Sequence, residues 1–357
     1  MAQTLTAKIL AAHLVEGELT PGGEIGIRID QTLTQDATGT TAYLLFEAME
    51  IPRVKTELSV SYVDHNMAQF GPENHNDHLY LQSISRKVGA YHSRPGNGIC
   101  HQVHLERFAQ PGKTLLGSDS HTPTGGGMGM ISIGAGGLDV AVAMGGGPFY
   151  TTAPKVIGVE LKGKPRPWVA AKDIILRLIG EIGVEGATYC AMEFRGEAVE
   201  ALDIEDRMTI CNMAVEAGAK NGIIAPDEQA LAYVRARTDK PFTPLASDPG
   251  CAAARDYTFD VSTFEPAVAQ PHSPAAYAPA GALKEVAVDR VYIGSCTGGK
   301  LSDFLAAAVI LQGKRVKADT YLVPATQEVA NQLQTETVNG ETLAHIFQSA
   351  GCLPIAP

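Results

Sequence analysis

Short apolar runs alternate with polar, glycine-bearing connections along the chain, and their period switches between two and about 3.6, the pattern of alternating strands and helices. Residues 4 to 16 predict a packing helix, with Leu5, Ile9, Leu10 and Leu14 on one face beside Lys8 and Glu16. Glu24 to Ile29 alternates and predicts a strand, whereas DQTLTQDATGT reads as a polar loop that puts Gln35 and Asp36 at the entrance of the helix TTAYLLFEAM. Leu58 to Val63 predicts another strand, ending in Asp64-His65-Asn66, and a helix is expected from Asp77 to Val88. In RPGNGICHQVHLERF, His101 and His104 are three apart and fall on a common helix face.

Thr114 to Gly117 is a third strand pattern, and it ends in Asp119, Ser120 and His121. Ligands of open α/β sheets bind beyond the carboxyl ends of the strands. The glycines at 125, 126, 127 and 129 then predict a tight turn. Met128 to Tyr150 is weakly polar throughout, but Asp139 and its many glycines speak against a membrane span, so a buried glycine-rich helix flanked by loops is expected.

After Pro154 the texture changes: KVIGVEL predicts a strand and Ala170 to Gly180 a helix, which sets a boundary near 155. Asp203 is the expected N-cap of a helix in which Asn212 and Glu216, four apart, project from one face. Thr238 to Pro279 is rich in Pro, Ala and Asp; PHSPAAYAPAGA reads as a surface crossing, and a second boundary is expected near 275. A strand, the turn SCTGG and a helix from Leu301 follow, with Cys296 at the strand's carboxyl end, where the helix dipole predicts a thiolate. Three domains result, 1–154, 155–275 and 276–357, in line with a prior of ~150 residues per domain.

Composition narrows the partners. A formal net charge of −11, with no Lys/Arg block, excludes nucleic acid and anionic membrane as expected partners and leaves a small molecule. Thirty-seven glycines and one Trp fit an enzyme rich in βα turns. The amino-terminal stretch has neither a secretory nor a mitochondrial pattern, and six scattered cysteines without a CxxC pair fit a reduced, cytoplasmic setting. Two acid–imidazole pairs at strand ends are the strongest chemical signal. His65, His101, His104 and His121 lack any zinc-ligand spacing. Cys296 reads as a nucleophile, a metal ligand or a buried thiol.

Taken together, GSDSHTPTGGG, VDH, QDAT, ICHQVHLERF, ICNMAVEAGA and IGSCTGGK resemble the large-subunit part of the aconitase and isopropylmalate isomerase family, in the right order and over nearly the whole chain. The resemblance implies an α/β fold: a three-domain core of parallel and mixed sheets flanked by helices, around a 4Fe-4S cluster whose free iron acts on a hydroxy acid. It implies Cys296 as a cluster ligand, with two more from a later CxxC segment. This sequence reaches AGCLPIAP without that segment, and Cys352 has no CxxC partner, so an incomplete third domain, and an isolated chain that is inactive, are expected. Gly298 also stands where many relatives have Asn.

By the same resemblance Gln35 and Ser120 lie against the substrate, His65 pairs with Asp64, His101 with Asp119 and His121 with Glu216, and Asn212 joins the pocket. Carboxylates would fix the tautomers of imidazoles that protonate a departing hydroxyl. The expected activity is a hydro-lyase moving a hydroxyl on a di- or tricarboxylic acid, with a swivel-domain small subunit or a further C-terminal portion as partner. IRIDQTLTQDATGT and PHSP tilt the reading toward citrate/isocitrate, with 3-isopropylmalate as the alternative. Two other classes stay open: a non-catalytic or RNA-binding apo protein, and a cluster-free enzyme with Cys296 as nucleophile.

Overall fold

Gln31–Thr34, polar enough to predict a loop, is the middle strand of a five-stranded sheet. In the computed structural model, which describes residues 2–357, its neighbours are Leu58–Tyr62 on one side and Thr114–Gly117 on the other, with Tyr91–Ser93 and Ile131–Gly134 at the edges. All four pairings are parallel. A parallel sheet is covered on both faces, so its centre excludes water even where the residues are polar. Gln31, Thr32, Leu33 and Thr34 are all at most 2% exposed. The side chains of Gln31 and Thr32 are paired inside: Thr32 Oγ1 lies 2.6 Å from Ser59 Oγ, and Gln31 Nε2 donates to Phe108 O and Gln110 Oε1. Hydropathy alone could not separate this strand from a loop.

The strand order reverses between Gln31–Thr34 and Thr114–Gly117, since the chain leaves the first toward one edge of the sheet and the second toward the other. A crevice opens at such a point, beyond the carboxyl ends. Gln35 and Ser118-Asp119-Ser120-His121 stand there.

A second parallel sheet has four strands, in the order Asn221–Ile224, Cys190–Arg195, Lys155–Lys162, Arg255–Asp260. Its core is apolar, with Ile157, Val159, Met192 and Phe194 packed against Ile174, Ile175, Leu178 and Ile179 of the helix Ala171–Ile182. A third, three-stranded parallel sheet joins Arg290–Ile293, Asp319–Leu322 and Leu353–Pro354, and packs Phe304, Leu343, Ile346 and Phe347 from its helices. Among the described residues no helix is long and apolar enough to cross a membrane.

Several local expectations change. The first helix is Leu5–His13, and Leu14–Gly17 leaves it to pair antiparallel with Glu24–Ile27. The glycine-rich helix expected within Met128–Tyr150 is Gly137–Met144, eight residues long, but the strands Ile131–Gly134 and Phe149–Thr152 flank it where loops were expected. The glycine-rich turn is a 3-10 helix, Thr122–Met128. The expected surface crossing contains a hairpin, Ala267–Ala269 with Tyr277–Pro279, and Tyr277 packs on Gly180 of the second sheet's helix.

The first two sheets meet main chain to main chain. An added Cβ at Gly126 would stand 1.6 Å from Gly222 O, and one at Gly127 2.9 Å from Met208 Cα. Only glycine allows that approach.

Candidate active site

Asp119 is the hub. Its Oδ1 accepts from His101 Nε2 at 2.7 Å and from the His121 backbone N–H at 2.9 Å, and its Oδ2 faces His65 Nε2 at 3.2 Å and Gln35 Nε2 at 3.4 Å. Burial alone would raise its pKa, but the hydrogen bonds from His101 and His65 outweigh it and hold the carboxyl far below the usual range. His65 is the reciprocal case: hydrogen bonds to Asp119 and Asp64 lift its imidazole to about 10. It bridges two acids, since its Nδ1 lies 2.9 Å from Asp64 Oδ1. Asp64 Oδ2 accepts the Cys100 backbone N–H at 2.5 Å, tying the end of Leu58–Tyr62 to the start of the helix Cys100–Phe108.

The third pair faces this one across the crevice. His121 Nε2 lies 2.9 Å from Glu216 Oε1, and that contact lowers the Glu216 pKa. The rings of His101 and His121 are 6.3 Å apart, centroid to centroid. Ser120 is exposed beside them, with Oγ 3.3 Å from His121 Nδ1. Asn212 is wholly buried and donates to Thr124 Oγ1 at 2.8 Å. Asn212 and Glu216 do not share a helix face, because the helix Ile204–Met213 tightens into a 3-10 turn, Ala214–Ala217. That turn carries Glu216 to His121.

Cys296 reaches the same place from the third sheet. Ser295 sits in the left-handed region at φ 78°, and the Cys296 Sγ faces Asn212 Oδ1 at 3.9 Å. Thr209 Oγ1 donates to Thr297 O at 3.1 Å, holding the turn against the helix Ile204–Met213. The expected dipole-stabilised thiolate is not found: burial pushes the Cys296 thiol up, and Lys300, not Cys296, caps the helix Leu301–Leu311. Its near partner is an amide, not an imidazole, so the cluster-free nucleophile reading loses the base it needs.

The structure thus brings Gln35, Asp64, His65, His101, Asp119, Ser120, His121, Asn212, Glu216 and Cys296 into one crevice lined by three parts of the chain. His104 lies outside it. Its ring nitrogens face Tyr62 OH and Gln31 Oε1, and burial drives its pKa to about 3, so it is a core residue although it shares a helix with His101. Sequence reasoning missed Thr124, and gave no role to Asp36 although QDAT carries it.

The cluster that the family resemblance implies takes three thiolates, and the described thiols are spread over separate parts of the core. Cys190 and Cys211 are in the core of the second sheet, Cys352 in that of the third, and Cys100 in an apolar cluster with Leu33 and Leu115. Cys296 is partly exposed at the crevice, and the buried Cys100 Sγ lies within 4.8 Å of His101 and Asp119, but Cys190, Cys211 and Cys352 are held in other cores. These residues by themselves therefore do not fit a complete cluster.

The class of protein follows from comparison as well as geometry. The model of the aconitase family (aconitate hydratase) matches residues 7–282 and 276–356, and the chain belongs to that family. At the level of single relatives, it is 41% identical to the chloroplastic 3-isopropylmalate dehydratase large subunit of Arabidopsis thaliana, covering 99% of this chain and 74% of that protein. The 3-isopropylmalate dehydratase large subunit of Nitratidesulfovibrio vulgaris is also 41% identical, over 99% of this chain and 84% of its own length. That of Desulfitobacterium hafniense is 38% identical over 100% and 85%. These relatives favour the 3-isopropylmalate alternative over the citrate/isocitrate reading, so IRIDQTLTQDATGT and PHSP did not discriminate the branch.

Proposed function

We propose that this chain is the large subunit of a hydro-lyase of the 3-isopropylmalate dehydratase type, which removes water from a hydroxy dicarboxylic acid and returns it at the neighbouring carbon. The observation that carries the chemistry is the facing pair of acid-bound imidazoles, His101 on Asp119 and His121 on Glu216. In the elimination a C–O bond breaks as one imidazolium donates its proton to the departing hydroxyl, which leaves as water, while the adjacent C–H bond breaks and the facing neutral imidazole takes that proton. Each carboxylate fixes its ring and stabilises the imidazolium. Gln35 and Ser120 are the proposed substrate contacts, with Asn212 completing the pocket; 3-isopropylmalate as substrate rests on the names of the relatives.

Cys296 is proposed as one ligand of a 4Fe-4S cluster, and the chain without its small subunit is proposed to be inactive. A small-subunit partner and a cytoplasmic setting complete the reading; all six cysteines are free thiols. The units 1–154, 155–275 and 276–357 are proposed as domains, each holding one parallel sheet.

The test is anaerobic reconstitution with a small subunit from the same source, iron and sulfide, followed by ultraviolet detection of the unsaturated acid. Turnover of 3-isopropylmalate in preference to citrate is expected, and the reverse preference returns the citrate reading. A stoichiometric cluster on the chain alone, lost in Cys296→Ser, would contradict the incomplete thiol set described above.

A further inference from the structure

The site described above depends on where residues 64 to 66 lie, and those residues are a loop at a strand's end, not part of the sheet. His65 bridges Asp64 and Asp119 only if its Cα is held at the right depth. One side chain holds it. Asp36 Oδ1 accepts the backbone N–H of Asp64 at 3.0 Å and that of His65 at 2.8 Å, while Oδ2 accepts the Asn66 N–H at 2.9 Å. The fourth donor is His78 Nε2, also 2.9 Å from Oδ2. The Asp36 side chain has no exposed surface.

Four donors fill the acceptor positions of both oxygens. Asp36, Asp64 and His65 could be read by proximity as a metal site, but a carboxylate so occupied has no lone pair left for an ion. His78 is itself held: its Nδ1 lies 3.0 Å from Gln69 Nε2, which leaves the Nε2 proton for Asp36. Asp36 also follows Gln35, which touches Asp119, so one dipeptide reaches both sides of the crevice.

We propose that Asp36 is a positioning residue of this site: it gathers three successive backbone N–H groups of the 64–66 loop and so sets His65 between the two acids. An amide would not serve. Asn at 36 keeps one acceptor oxygen, and its NH2 meets two donors that are then buried without a partner, a loss that speeds local opening.

The test compares the wild-type full chain with Asp36→Asn and, as a milder change at the far side of Oδ2, His78→Gln. Hydrogen exchange at residues 64–66 is expected to quicken by about tenfold or more in Asp36→Asn, with the sheet strands still protected. The 15N signals of the His65 ring, assigned through His65→Gln, are expected to lose their hydrogen-bonded positions. His78→Gln is expected to loosen Asn66 more than Asp64.

Unchanged exchange at 64–66 in Asp36→Asn overturns the proposal. So does protection lost evenly through the sheet, the mark of a merely structural residue. The consequence for turnover rests on the hydro-lyase reading: in the reconstituted enzyme, kcat falls while KM holds. Should the wild type turn over neither 3-isopropylmalate nor citrate, that reading fails, while the exchange and ring signals still judge Asp36.

Discussion

The two larger parallel sheets each reverse their strand order once, and so each offers a crevice at its carboxyl edge, yet only one is furnished for chemistry. In the five-stranded sheet the crevice holds Gln35 and Asp119, with imidazoles on both carboxylate oxygens. In the four-stranded sheet the equivalent place, beyond Lys162 and Asp260, is closed by its own turn. Asp260 Oδ1 accepts from Ser262 N at 3.0 Å and from Ser262 Oγ at 2.5 Å, and a Cβ on Gly163 would lie 2.6 Å from that oxygen. The fold supplies the crevice, and the residues set at its rim decide whether it does anything. The second unit contributes to the site from elsewhere, through Asn212 and Glu216.

The contrast is tested most sharply by removing the imidazoles. His101→Ala or His121→Ala in the reconstituted enzyme should lower kcat ~100-fold or more, the usual weight of a proton-transfer group, with the melting temperature little changed; near-native turnover in both would end their assigned roles. Asn212→Ala comes next. It removes the amide donor from the buried Thr124 hydroxyl, which keeps only its own bond to His121 O, and should destabilise the fold by about 1–3 kcal/mol in a denaturant titration; no loss would mean that the second unit's contribution is not structural.

A third measurement follows melting temperature against pH for wild type and His65→Gln. Because the folded pKa of His65, about 10, lies above its usual 6.5, the stability from its charged form is fully present below 6.5 and lost as pH rises toward 10. The gap between the two proteins should close across that window, and a constant gap would refute the bridging imidazolium. The smallest effect belongs to the other sheet. Arg195→Ala breaks an exposed pair with Asp256 and should cost ~0–1 kcal/mol and no turnover; a large kinetic defect would erase the distinction between the two edges.

The site was more legible in the sequence than the framework around it. Acid–imidazole pairs at the ends of apolar runs pointed to the crevice because a strand's end is a local property. The middle strand was not legible, since Gln31 and Thr32 are buried by pairing with Ser59, Phe108 and Gln110, partners remote along the chain. His104 could not be told from His101 by spacing; what separates them is Tyr62 and Gln31 on one side and Asp119 on the other. Glu216 was placed by a helical period that the backbone abandons at Ala214. Cys296 was assigned a lowered pKa from a nearby helix, but desolvation governs it. The substrate branch was read from two short motifs, and overall similarity to individual relatives redirected it.

The main-chain seam at Gly126 and Gly127 has a consequence for how this site can vary. His121 immediately precedes the 3-10 helix that contains both glycines, and Glu216 follows the helix on which Gly127 rests. The 2.9 Å between their side chains therefore rests on two backbones whose separation is fixed by direct contact, with no packing side chain at the seam to shorten or lengthen. Mutational drift can retune the charges at the crevice residue by residue, but it has no gradual route to a different spacing between its two halves. Any branch of such a protein that acts on a larger or smaller acid has to find its room on the other walls.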